Sequence, residues 1–187
     1  MRTGGLLLAA GAGRRYGMPK ALVERDGRLL VEHGLATLRA AGCDPVVVVL
    51  GAAADEVRAR ADLAGALTVT NPDWGGGMGS SLRTGLDALA GTSAQATVVL
   101  LVDTPGVTAS AVQRVAALSD PGALVIATYH GERGHPVLLG REHWAGVSAL
   151  AVGDVGARAY LLANPDRVVT VACEDIADGT DLDRPVR

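Results

Sequence analysis

Gly4-Gly5-Leu6-Leu7-Leu8-Ala9-Ala10-Gly11-Ala12-Gly13-Arg14-Arg15-Tyr16-Gly17-Met18-Pro19-Lys20 is the stretch on which the fold turns. Residues 5–10 form an unbroken apolar run bounded by glycines. That pattern predicts a strand covered on both faces, as in a parallel sheet. The strand leads into a loop rich in glycine and cations. Glycines 11 and 13 carry no Cβ, so backbone N–H groups there can close on phosphate oxygens. Arg15 and Lys20 supply the countercharge, one as a planar fork and the other as a mobile point charge.

The segments downstream alternate in the same way. Residues 30–41 carry Val31, Leu35 and Leu38 at helical spacing and stop at Gly42. Val46–Leu50 reads as a second buried strand, 54–63 as a short helix and Leu67–Thr70 as a brief strand. Residues 71–79 are a polar, glycine-rich loop, and 80–89 are helical with Leu82, Leu86 and Leu89 on one face. Residues 96–102 form a central strand, Thr108 caps a helix running to about Leu118, and 123–129 are another strand. Beyond this the pattern loosens: a β-ribbon over 130–139, short helices over 141–150 and 153–162, a last strand at Val168–Ala172, and an acidic, irregular tail from Glu174. The alternation predicts one α/β domain over residues 1–187. Its architecture is a three-layer α/β/α sandwich on a mainly parallel sheet. Ligands of such sheets sit at the carboxyl ends of the strands. That puts the first loop, residues 71–81 and residues 103–105 on one rim.

Composition narrows the function. The 187 residues suit one core. With 17 basic and 20 acidic residues the net charge is −3, so nucleic acid is a poor partner. Three Tyr, two Trp and no Phe give no platform for stacking single strands. The apolar runs fall well short of the ~20 residues of a membrane span, and no signal-peptide layout precedes the first strand. Cys43 and Cys173 lack CxxC spacing, which suits two structural thiols in a reduced, cytoplasmic protein.

Two common phosphate motifs fail on the first loop. A dinucleotide fingerprint needs glycine where Tyr16 stands, and an acid at the end of the second strand, where Gly51 follows Leu50. A P-loop needs Lys after Gly17, and Met18 is there. A plain glycine-rich turn with surface arginines is the minority alternative. The pattern Leu8-Ala9-Ala10-Gly11-x-Gly13-x-Arg15-x-Gly17-x-Pro19-Lys20 resembles the signature of nucleotidyltransferases with a glycosyltransferase-A-like fold. Within them it is most similar to the molybdenum cofactor cytidylyltransferases. The resemblance implies that Leu8, Ala9, Ala10, Gly11, Gly13, Arg15 and Lys20 bind a nucleoside triphosphate, with Arg15 and Lys20 stabilising phosphate charge during transfer.

The second loop runs Asn71-Pro72-Asp73-Trp74-Gly75-Gly76-Gly77-Met78-Gly79-Ser80-Ser81. Read alone it is a flexible loop before a helix capped by Ser80 or Ser81. Gly77-Met78-Gly79-Ser80-Ser81-Leu82 is similar to the family's second motif, which implies that Gly79, Ser80 and Ser81 contact the nucleotide. Trp74 reads as packing. Asp103 is a lone carboxylate at the end of a buried strand, before Thr104-Pro105. It is either a Mg²⁺ ligand or a capping residue in a turn. The family places Gln where Thr104 stands.

Arg133-Gly134-His135-Pro136 and Gly153-Asp154-x-Gly156-Ala157-Arg158 resemble acceptor-side motifs of the cofactor branch. They imply acceptor contacts from His135, Asp154 and Arg158. On the residues alone, His135 could be a satisfied surface histidine, and Asp154 an N-cap with Arg158 as its i+4 partner. Asp181-Leu182-Asp183-Arg184-Pro185 is similar to a terminal Asp-x-Asp-Thr-Pro, which makes Asp183 a second metal carboxylate. An acidic tail without function is the alternative.

The resemblance implies an enzyme that moves CMP from CTP to a phosphorylated acceptor, molybdopterin, releasing pyrophosphate with Mg²⁺ as cofactor. A molybdoenzyme or its maturation factor is the implied protein partner. Cytidine rests on Ala10, where guanylyl relatives carry Gly. A molybdopterin guanylyltransferase using GTP and a sugar-phosphate nucleotidyltransferase are the neighbouring readings. A nucleotide-binding module without catalysis is the reading of another class.

Overall fold

The glycine-bounded run becomes the middle of a seven-stranded sheet. The structure is a computed structural model and describes residues 1–183. β1 (Thr3–Ala9) lies between β4 (Val46–Leu50) and β6 (Ala96–Leu101), parallel to both. β5 (Leu67–Thr70) extends the sheet beyond β4, also parallel. On the other side come β8 (Glu132–Gly140), β7 (Leu124–Tyr129) and β9 (Val168–Ala172), giving the order β5-β4-β1-β6-β8-β7-β9. A two-residue hairpin, β2 (Glu24–Arg25) with β3 (Arg28–Leu29), stands apart from the sheet.

Alternation along the strands sends side chains into two apolar layers. Leu7 and Ala9 of β1 face α1 (Leu30–Ala40), α2 (Ala54–Arg60) and α4 (Ala109–Ala116). Leu6 and Leu8 face α3 (Met78–Ala90), α5 (Trp144–Leu150) and α6 (Arg158–Ala163). This is the expected three-layer α/β/α sandwich. Both faces of β1 are sealed, so Leu6 and Leu7 are fully buried.

Three local expectations change. The ribbon over 130–139 is a full member of the sheet. β8 pairs antiparallel with both β6 and β7, and a tight turn at His130–Gly131, both at positive φ, joins it to β7. Ser80 and Ser81 do not cap α3. The helix starts at Met78, because Gly77 takes the N-cap position with φ 102°, and the two serines fall inside the first turn. Asp154 caps nothing either: α6 is preceded by Ala157 with no side-chain cap. Thr108 does cap α4, accepting from the Ala111 N–H at 3.2 Å.

The acidic tail is docked. Arg114 on α4 holds Asp175 through two bonds of 2.7 and 2.9 Å. The Thr108 hydroxyl donates to the Ile176 carbonyl at 3.0 Å. The Asp178 N–H then donates to Gly106 at 3.1 Å, and the Leu182 N–H to the Asp103 carbonyl at 2.7 Å. These contacts bring Asp181 and Asp183 to the end of β6. Arg184 and Pro185 of the terminal motif lie outside the described residues.

Candidate active site

The first loop closes on itself as its glycines require. The Gly17 N–H donates to the Gly13 carbonyl at 2.8 Å, and Gly13 sits at φ 61° with its Cα against the Met18 carbonyl, where a Cβ has no room. Pro19 then starts the 3₁₀ turn Lys20–Leu22. That turn fixes the root of Lys20 and aims it across the rim. Arg15 lies on the open part of the loop, its side chain 81 % exposed.

Lys20 is the hub. Its Nζ donates to Asp103 Oδ2 at 2.8 Å and lies 3.6 Å from Asp183 Oδ1. Arg15 reaches the other Asp183 oxygen at 4.0 Å. Asp103 follows β6, whose path continues past Leu101 through the Val102 N–H to the Leu8 carbonyl at 3.0 Å. Asp103 Oδ1 is buried and has no hydrogen-bond partner among the described residues. A buried oxygen of this kind is costly unless something binds it. Thr104 is turned away: its hydroxyl donates to the Leu101 carbonyl at 2.9 Å, and the residue is buried.

Asp181 is a third carboxylate in this cluster. Burial pushes its carboxyl above the usual carboxylate range, the charges of Asp103 and Asp183 add to the rise, and Lys20 opposes it. Asp103 with Asp183 fits a hard divalent cation that arrives with phosphate oxygens to complete its shell. No group of three or more His, Cys, Asp or Glu among the described residues forms a cage able to hold such an ion alone.

A cleft of about 640 Å³ opens beside this cluster, within the range of small-molecule sites. Its walls include Leu8, Ala10, Gly11, Gly13, Arg15, Lys20, Ser81, Asp103, Asp154 and Asp183 from the expected set. The other expected residues stand off it. Ala9 points into the core below the sheet. Gly79 is pressed against the Ala151 carbonyl, where a Cβ would meet carbon at 2.6 Å. Ser80 is spent on the loop: its hydroxyl accepts from Asn71 at 2.8 Å and lies 3.0 Å from the Asp73 and Gly77 carbonyls. Arg158 begins α6 outside the cleft lining and forms no ion pair with Asp154 among the described residues.

His135 also stands off the cleft, near enough to Asp103 to feel its charge. The β7–β8 register pairs Ile126 with Val137 and Ala127 with Gly134, leaving His135 and Pro136 as the extra residues of a bulge. Bulges re-aim side chains beside active sites. Burial pulls the imidazole down to about 4, with the Asp103 charge opposing.

Two wall residues and two residues that brace the loops behind the wall escape a reading of the sequence. Trp74 and Met78 line the cleft, and Trp74 Cβ also crowds Gly51. Asn71, buried, ties both serines to the loop, with the Ser81 bond at 3.0 Å. Arg83 reaches the Ala151 carbonyl from α3. Strand ends and helix starts locate the rim, but nothing in spacing tells which polar side chain turns inward.

The family model described as a MobA-like NTP transferase domain matches residues 5–168. Nicotine blue oxidoreductase of Paenarthrobacter nicotinovorans is 42% identical over 187 residues, covering 96% of this chain and 91% of that protein. Molybdenum cofactor guanylyltransferase of Rhodobacter capsulatus is 32% identical over 145 residues, covering 77% of this chain and 66% of that one. Among solved structures, Rv0371C of Mycobacterium tuberculosis H37Rv in complex with manganese superposes with a TM-score of 0.79 at 27% identity, over 92% of this chain and 88% of that chain. The chain thus belongs to the MobA-like NTP transferase domain family and is a nucleotidyltransferase of that family.

Proposed function

We propose that this protein transfers CMP from CTP to the phosphate of molybdopterin and releases pyrophosphate, with Mg²⁺ or Mn²⁺ as cofactor. The observation that carries this is the Lys20–Asp103–Asp183 cluster, with its unpartnered Asp103 oxygen, at the mouth of the glycine loop. In the reaction, an acceptor phosphate oxygen forms a bond to the α-phosphorus while the bond from that phosphorus to the β-bridging oxygen breaks. The electron pair leaves on pyrophosphate. Asp103 and Asp183 would hold the divalent ion, which when bound shields phosphate charge.

The chain's own groups do the positioning. Amides of residues 11–13 face the triphosphate, and Gly13 lets the loop approach it. Lys20, anchored at its root, and Arg15, free to swing in from solvent, neutralise the charge that grows on the leaving pyrophosphate. No side-chain nucleophile is needed. Ala10 supports a pyrimidine. Its methyl packs beside Gly51 and Trp74 at the wall of the cleft and narrows the space open to a base.

The match to nicotine blue oxidoreductase favours a second reading, oxidoreduction of nicotine blue or a similar molecule on the same scaffold. One pair of assays separates the two. The transferase reading expects acceptor- and metal-dependent pyrophosphate release, faster with CTP than with GTP, ATP or UTP. No release from any triphosphate, with bleaching of nicotine blue by NADH or NADPH, would overturn it.

A further inference from the structure

Asp154 lies on the cleft wall, and the transfer chemistry leaves it without a role. Its loop is tightly held. Gly77 backs onto the Gly153 carbonyl carbon and Asp154 Oδ1, at 2.5 and 2.6 Å from where a Cβ would stand. Gly79 backs onto Ala151, and the Arg83 guanidinium donates to the Ala151 carbonyl. Three contacts from the start of α3 therefore fix the loop, while the Asp154 carboxylate makes no hydrogen bond and no ion pair among the described residues. The residue is exposed, so the fixed loop holds its carboxylate at the cleft with both oxygens open to a ligand.

The location decides which ligand group it meets. Asp103 follows β6 on one side of β1, while residues 74–81 follow β5 on the other. Asp154 packs on Gly77 and so belongs to the second side, with Trp74, Met78 and the Ala10 methyl as apolar neighbours on the wall. Unlike Asp103 and Asp183, Asp154 has no cationic side chain paired with it among the described residues, so it repels phosphate and makes this the wrong wall for a triphosphate or an acceptor phosphate. A wall with apolar side chains edged by a carboxylate acceptor instead suits a heterocycle with an exocyclic amine.

We infer that Asp154 is the residue that reads the base, accepting a hydrogen bond from the 4-amino group of cytosine, and that Arg83 is the positioning residue of its loop. This rests on the CTP reading above. It also moves Asp154 from the acceptor, where its motif suggested it belongs, to the nucleotide. Uracil offers an oxygen in place of that amine, so the carboxylate rejects it. Asparagine can turn its amide to meet either base.

The test is calorimetric titration of the full chain with CTP, UTP, pyrophosphate and molybdopterin in Mg²⁺, for the wild type, Asp154→Asn and Arg83→Gln. The wild type should bind CTP about tenfold or more tighter than UTP, as expected for a bond to a charged group. Asp154→Asn should bring the two within about twofold, and Arg83→Gln should lower the preference while pyrophosphate affinity stays unchanged. Equal CTP and UTP affinity in the wild type, an unchanged preference in Asp154→Asn, or a loss confined to molybdopterin affinity would overturn the inference. Failure of the wild type to bind CTP would overturn the CTP reading itself.

Discussion

At the scale of single residues, the account rests on how Lys20 and Asp103 share one proton-bearing contact. Asp103 gives one oxygen to Lys20 and keeps the other unpartnered, so its role is separable from folding. Asp103→Asn preserves shape and removes charge. Turnover in steady-state assays should fall by about 10²-fold or more, with a melting temperature near the wild type's. Lys20→Ala should lower turnover severely as well. Full activity in either variant removes the cluster from the mechanism.

His135 makes a different prediction. Its folded-state value of about 4 lies below the ordinary 6.5 of an unfolded chain. Between those values the unfolded chain binds the proton and the native protein does not, so stability is lost as pH falls from about 6.5 to about 4. The full loss is on the order of 3 kcal/mol, since the pKa falls by about 2.5 at about 1.4 kcal/mol per pH unit. Urea unfolding at pH 7 and pH 4.5 should show a smaller drop for His135→Gln than for the wild type. An equal drop means that other groups carry the acid sensitivity.

At the scale of elements, helix and sheet meet through glycine. Gly85 of α3 sits against Leu6, and Gly34 of α1 against Leu7 at 2.6 Å from where a Cβ would stand. Both leucines are fully buried and have little room to yield. Gly85→Ala gains about 1 kcal/mol in helix propensity but overpacks the core, and the net effect should be a loss of roughly 1–2 kcal/mol in denaturant unfolding. A stabilised variant would show that α3 can lift off β1 freely. These elements were legible because their signals are local. Val46–Leu50 and Val168–Ala172 are apolar or β-branched runs with clean ends. The start of α3 was not legible, because Gly77 outcompetes two serines that are spent holding Asn71 and the loop. The bulge that contains His135 was hidden too, since it depends on pairing with a strand already placed.

At the scale of the whole molecule, the site is assembled from distant parts: a loop after β1, a turn after β6 and a tail held by α4. The rim itself followed from the α/β alternation, and so did Arg15, Lys20 and Asp103 on it. The Asp183 position did not, because it depends on a chain of contacts running from Arg114 to Leu182. If the tail supplies a metal carboxylate, Asp183→Asn should raise the Mg²⁺ concentration needed for half-maximal turnover by about tenfold or more, with the fold intact. An unchanged metal requirement would leave Asp183 as a partner of Lys20 and Arg15 alone.

The most direct test of the central claim is phosphorus NMR of the full chain with CTP, Mg²⁺ and molybdopterin. Attack at the α-phosphorus predicts that the three CTP resonances decay together into pyrophosphate and a new pair of coupled diphosphate resonances from the CMP-linked product. Unchanged CTP, or CDP with inorganic phosphate from attack at the γ-position, would contradict the account.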